Sequence, residues 1–173
     1  MSTEFDSAHF RAVLGHVPTS VVIVTGLNAA GDAFGITIGS FTSVSLDPPL
    51  VGFLPGVNSK SWASIRESGR FCVNVLGADQ EEVCWRFAKE GDDKFSGLDW
   101  TPSAGGSPVI PGSIAWIDCS LESETVAGDH YFVMGNVESL GHRDDVSDAM
   151  IFFKGKVRSF YTTINAFNSF RRE

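Results

Sequence analysis

The chain is expected to be mainly β, a closed barrel of antiparallel strands with helical insertions. β-Branched and hydroxyl-bearing segments recur along most of its 173 residues, and the connections between them are short enough for hairpins. Helical spacing is confined to a few short stretches. No GxGxxG follows a strand, so a doubly wound parallel sheet has no support.

The elements follow in order. Ser7 to Val17 places Phe10, Val13, Leu14 and Val17 at helical spacing, and Pro18 closes the helix. Val21 to Gly26 is continuous and β-branched, which suits a central strand, and Asn28 to Asp32 supplies a hairpin loop. Gly35 to Leu54 is the stretch around which the others are arranged. Thr37, Ser40, Thr42, Ser43 and Ser45 set small hydroxyls among Ile36, Ile38, Phe41, Val44 and Leu46, a mixture that fits pleated backbone. Asp47-Pro48-Pro49 should stop strand pairing, because the prolines lack donors, and Leu50 to Leu54 restarts as a buried strand. A flat ligand against this wall would meet amides and hydroxyls rather than charges.

Ser61 to Glu67 reads as a short helix leaving at Gly69, Phe71 to Leu76 as a strand, and Asp79 to Ala88 as a helix with Asp79 at its N-cap. A polar, glycine-containing stretch follows to about Gly112. Ser113 to Val126 and Asp129 to Leu140 form a long hairpin around Ala127-Gly128; Met150 to Phe153 and Val157 to Tyr161 complete the strands. Asn165 to Glu173 is expected to be a tail able to reach a partner subunit.

Composition narrows the function. At 173 residues and 43% hydrophobic content, residues 1–173 are expected to fold as a single domain. A net charge of −8 without a basic stripe argues against sequence-independent nucleic-acid binding. Cys72, Cys84 and Cys119 form no CxxC pair and are odd in number, so they are read as reduced and buried. No apolar run is long enough to span a bilayer and the N-terminus lacks an apolar signal region, so a cytoplasmic protein with no membrane partner is expected.

The common chemical motifs are missing. His9, His16, His130 and His142 are scattered without metal-ligand spacing, no serine sits in a GxSxG elbow, and no cysteine has a base partner. Asn58, Ser59, Lys60 and Ser61 stand where a helix begins; their plain reading is capping, and their alternative is a phosphate held by hydroxyls, amides and the lysine. Gly128-Asp129-His130 is the best polar cluster, although Gly and Asp are also ordinary turn residues. Trp62, Trp85, Phe87 and Phe95 read as core, and Asp92-Asp93-Lys94 as a solvated loop.

Taken together, seven blocks in one order resemble the flavin reductase family, the short-chain reductases of two-component flavin-dependent monooxygenases. They are FRAVLGHVPTSVVIVT (10–25), GITIGSFTSVSLDPPLVGF (35–53), NSKSW (58–62), GRFCVNVL (69–76), DKFSGLDW (93–100), GSPVIPGSIAWIDC (106–119) and GDHYFVMGNVESL (128–140). The resemblance covers roughly residues 8 to 161; Thr19-Ser20 replaces a common Thr-Gly, and the tail 162–173 has no clear counterpart.

The resemblance implies an antiparallel Greek-key split β-barrel of the FMN-binding type, a homodimer, and hydride transfer from NADH, less readily NADPH, to FMN or FAD. It also implies a partner monooxygenase that receives the reduced flavin. Carried over to this chain, Thr37, Ile38, Ser40, Phe41, Thr42 and Ser43 lie along the flavin ring and ribityl chain, and Asn58, Ser59, Lys60 and Ser61 meet the phosphate. Lys94 and Phe95 lie near the flavin, and His130 receives the nicotinamide. No side chain is expected to act as an acid or base, because the two cofactors carry the hydride chemistry and the protein positions them. Other uses of the same barrel would be a non-catalytic flavin-binding module, or an oxidase with permanently bound flavin.

Overall fold

The computed structural model describes residues 5–91, 93–145 and 148–161. Helix α1 (Ser7–Leu14) precedes β1 (Thr19–Ser20), β2 (Val22–Leu27), β3 (Ala33–Ile38), β4 (Thr42–Leu46) and β5 (Pro49–Phe53). Helix α2 (Lys60–Ile65), β6 (Arg70–Val75) and α3 (Glu81–Ala88) follow, then the short β7 (Thr101–Pro102) and β8 (Pro108–Val109). The chain continues through β9 (Ala115–Ala127), β10 (His130–His142), β11 (Met150–Phe153) and β12 (Lys156–Ser159). Seven strands make one antiparallel sheet in the order β3-β2-β6-β9-β10-β5-β4; β1, β11 and β12 form a second, and β7 and β8 a ribbon.

Strands β3 and β4 are consecutive in the chain but occupy opposite edges of the large sheet, with no ladder between them. The barrel is therefore split there, not closed as the element count suggested. Ser40, in the connection, is held to the residue after β5: its Oγ accepts from the Leu54 amide at 2.9 Å and donates to the Leu54 carbonyl at 3.4 Å.

Strand β2 shows why its sequence is apolar without alternation. Val22 and Val24 enter one cluster with Phe53, Trp62, Ile65 and Phe71, while Ile23, with Val21 just ahead of the strand, enters another with Leu76, Cys84, Phe87 and Ile110. A strand covered on both faces has no polar side to present. In the first cluster Phe53, Trp62 and Phe71 meet edge to face, with centroids 5.2 to 6.1 Å apart.

The polar stretch after α3 is held by buried hydrogen bonds as well as by the short β7–β8 ribbon. Thr25 Oγ1 donates to the Pro108 carbonyl at 2.5 Å, and the Ile110 amide donates to Asn74 Oδ1 at 2.8 Å. Asp118, fully buried, accepts from the Ser103 hydroxyl and the Gly105 amide, each at 2.6 Å.

Several sequence expectations shift. The proline corner does not stop pairing: Leu46 faces Pro49 and Thr42 faces Gly52 across a hairpin whose turn contains a cis Asp47-Pro48 peptide. Pro49 is the first residue of its strand, where a missing donor costs the ladder least. Helix α1 ends at Leu14, not Val17, because the His16 and Val17 amides bond back three residues and tighten the chain into a turn. Its apolar residues Phe10, Val13 and Leu14 are all exposed. Gln80, not Asp79, is the N-cap of α3, and its buried amide group is used elsewhere, receiving the Gly77 N–H at 3.0 Å and donating to the Pro111 carbonyl at 2.9 Å. The long hairpin turns at Gly128-Asp129, one residue later than expected, with Gly128 at φ 68°. The tail 162–173 lies outside the described residues.

All three cysteines are free and buried. Burial, with the Asp118 carboxylate nearby, pushes the Cys72 thiol up to about 12, and burial, with Cys72 and Asp118 beside it, does the same for Cys119. Iodoacetamide at mildly alkaline pH should therefore leave Cys72 and Cys119 unmodified in the folded protein and label them after denaturation, read by intact mass. Because the folded values are raised above the ordinary thiol value of 9.0, stability is unaffected below about pH 9. It should decline between pH 9 and 12 as the unfolded thiols ionise first.

Candidate functional site

One cavity of about 650 Å³ opens between the start of α2, the end of α3 and the tip of the β9–β10 hairpin. Its walls include Asn58, Ser59, Lys60 and Ser61 from the first, Phe87 through Gly91 from the second, and Asp129 and His130 from the third, with Ile36 and Lys94 behind. Residues 58–61, Lys94 and His130, scattered over some seventy positions, thus share one space.

The start of α2 is shaped by capping, as its residue types suggest. Ser59 Oγ accepts the Trp62 amide at 3.2 Å, and Ser61 Oγ accepts from Lys94 Nζ at 3.1 Å. Both hydroxyls act as acceptors within the protein, which leaves each hydroxyl hydrogen to donate to a ligand oxygen. Lys60 and Lys89 are exposed at the rim. In a chain of net charge −8, three of its five lysines line this cavity.

Lys94 is not part of a solvated loop. Half-buried, it donates to the Gly35 carbonyl at 3.2 Å, the Phe87 carbonyl at 3.2 Å and Ser61 Oγ, so one ammonium joins β3, α3 and α2. Gly35 makes room for this, since a Cβ there would lie 2.5 Å from the Phe87 ring. Phe95 does not line the cavity; it packs edge to face on Phe87, centroids 4.9 Å apart, and holds the loop that carries Lys94.

The hairpin tip is fastened to the loop ahead of α2. The Val57 amide donates to the Asp129 carbonyl at 3.0 Å, and the Tyr131 amide to the Pro55 carbonyl at 2.9 Å. His130 Nδ1 lies 2.7 Å from Asp129 Oδ1, and hydrogen bonding to His130 holds the exposed Asp129 carboxyl below its ordinary value.

The predicted wall residues lie beside this cavity rather than in it. Thr37 donates to the Cys84 carbonyl at 2.7 Å, Ile38 is buried in the first core cluster, Phe41 packs against that cluster, and Ser40 holds Leu54. Thr42 and Ser43 are exposed on edge strand β4. Of the aromatic group read as core, Trp62 and Phe87 are buried, whereas Trp85 is 40% exposed with its indole N–H donating to Glu81. Sequence reasoning did not single out Lys89, Glu90 and Gly91; a charged run closed by glycine directly after a helix was the available signal.

The sequence and fold match a known class. A family model described as flavin reductase like domain matches residues 14–161. A protein named flavin reductase from Pseudomonas putida is 51% identical over 155 residues, spanning 90% of this chain and 91% of the relative. The reductase subunit HsaB of a flavin-dependent monooxygenase from Rhodococcus jostii is 46% identical over 151 residues, 87% of this chain and 76% of the relative. Among solved structures, a nitrilotriacetate monooxygenase component B homologue from Mycobacterium thermoresistibile superposes with a TM-score of 0.86 at 42% identity, covering 90% of this chain and 87% of that one. The chain belongs to the flavin reductase like family.

Replacing Lys94 by methionine strands acceptors from three elements. It should lower stability by about 1.5–3 kcal/mol in urea unfolding, with flavin binding weakened in parallel as the start of α2 loosens.

Proposed function

We propose that this chain is an NADH-dependent flavin reductase that passes hydride to FMN or FAD and supplies the reduced flavin to a partner monooxygenase. The observation that carries the reading is the convergence of three lysines, the Ser59 and Ser61 hydroxyls and His130 on one ligand-sized cavity in an otherwise acidic chain. Flavin and nicotinamide, when bound, supply the redox chemistry. The residues present fit such ligands. Asn58, Ser59, Lys60 and Ser61 would hold a phosphate, and the segment from Thr37 through Ser43, beside the cavity, would border the ring system. His130, oriented by Asp129, would receive the nicotinamide side.

Glu90 and Asp129 line the cavity and no arginine does so among the described residues, which disfavours the extra 2′-phosphate of NADPH. Strand β4 ends a sheet and exposes Val44 and Leu46, the latter 94% exposed, which supports a second copy of the chain covering this edge. The name of the HsaB relative, a reductase subunit, supports delivery of reduced flavin to an oxygenase.

Purified protein should oxidise NADH only when free FMN or FAD is added, with a rate that saturates in flavin. Flavin binding without NADH loss would instead indicate a binding module, and flavin retained through purification a permanently loaded oxidase. His130→Ala should raise the KM for NADH about fivefold, as expected for one lost hydrogen bond, and leave the KM for flavin nearly unchanged. Equal changes in both would remove His130 from the nicotinamide side.

A further inference from the structure

Glu124 lies on β9 near the tip of the long hairpin and outside the cavity. One of its carboxylate oxygens accepts the Trp62 indole N–H at 2.5 Å, and the other accepts Arg66 Nη1 at 2.6 Å. Trp62 and Arg66 are four residues apart, so they present both donors on one face of the helical segment that begins at the candidate phosphate residues. Trp62 is 1% exposed and the Glu124 side chain 19%, so the indole contact is a partly desolvated, charge-assisted one, while the Arg66 side chain, 39% exposed, forms the outer and more solvated arm. The Arg66 guanidinium also sits 5.5 Å over the ring of Tyr131, the residue after His130.

We propose that Glu124 is a positioning residue for hydride transfer: by clasping Trp62 and Arg66 it locks α2, with Asn58 to Ser61, against the hairpin that carries His130. This rests on the reading of the cavity as a flavin reductase site. The two backbone bonds at Val57 and Tyr131 pin the hairpin tip to the loop ahead of α2 but touch nothing within the helix. Beside the apolar packing of Trp62 and the Arg66–Tyr131 contact, the carboxylate supplies the directional side-chain bonds between helix and hairpin and restrains α2 from rocking. Each ligand could still dock on its own element without the clasp, but their separation would no longer be set, and transfer falls steeply with misplacement of about 1 Å.

The test uses the full chain with FMN and NADH in anaerobic stopped flow, with FMN affinity read by flavin fluorescence. Glu124→Gln preserves shape but leaves one acceptor oxygen and sets an NH2 against the other donor. Trp62→Phe removes the indole N–H and keeps an aromatic ring, and it serves where the first variant folds poorly. Each should slow flavin reduction tenfold or more while the FMN dissociation constant and the KM for NADH move less than about threefold, and the double variant should lose little beyond either single one. The Trp62 indole proton should also move upfield in the ¹H–¹⁵N spectrum of Glu124→Gln, a readout independent of activity.

Reduction rates within about twofold of wild type in both variants, or losses that multiply in the double variant, would overturn the proposal. So would a loss of FMN affinity as large as the loss of rate. A wild-type protein that leaves NADH untouched in the presence of flavin overturns the functional reading and the inference with it; an active wild type with unaffected variants overturns the inference alone.

Discussion

The hydrogen-bonded ladder between β9 and β10 is the constraint on which the other parts rest. It runs from the pair His130 and Ala127 to the pair His142 and Ala115, with register shifts at Met134/Gly135 and Val137/Ser139. Such irregularities bend and twist a ribbon. At the first, Gly135 lets the Phe71 ring come so close that a Cβ would lie 2.3 Å from it, and the core is packed into that hollow. Strand β6 pairs with one side of the ribbon and β5 with the other, which places the split between β3 and β4 at the far edges. The ribbon's tip projects to the loop at Pro55–Val57 and takes Asp129 and His130 to the start of α2.

What could be read from the chain was what local pattern decides. Strand β2, the long hairpin and the buried cysteines follow from runs and alternation that depend on near neighbours. The split did not, because nothing within Gly35 to Leu54 states that the strands on either side of Ser40 end up on opposite edges. The hydroxyl-rich wall shows the same limit: Thr37 was recognised as polar on a strand, but its hydroxyl is turned to a carbonyl 47 residues away. Lys94, read from spacing as solvated, bonds to residues 59 and 33 positions earlier. Local spacing carries no record of such distances. The resemblance named Lys94 and the 58–61 segment separately, and the structure joins them through the Lys94–Ser61 hydrogen bond.

A hydride passed between two rings asks little of acid–base side chains and much of distance. The polar groups of this chain are spent accordingly. Lys94 joins three elements, Asp118 and Asn74 hold the polar loop, and Glu124 holds α2 to the hairpin. Buried networks of this kind are worth keeping only when satisfied, since an orphaned partner costs more than the bond contributes. Rigidity of the frame around the cavity is what they deliver.

Charge does the opposite work at the rim. The chain as a whole repels anions, yet Lys60 and Lys89 face the cavity mouth with Glu90 and Asp129 among them. Exposed cations in high dielectric attract a phosphate by modest amounts, screened over about 8–10 Å at ordinary ionic strength, so they favour entry and add modestly to what the hydroxyls and amides hold. Neighbouring carboxylates reduce that attraction further and limit the number of phosphates tolerated at once. Interior and rim thus divide the work: hydrogen bonds in the interior fix the shape of the cavity, and the exposed charges at its mouth add only a modest attraction for an incoming phosphate.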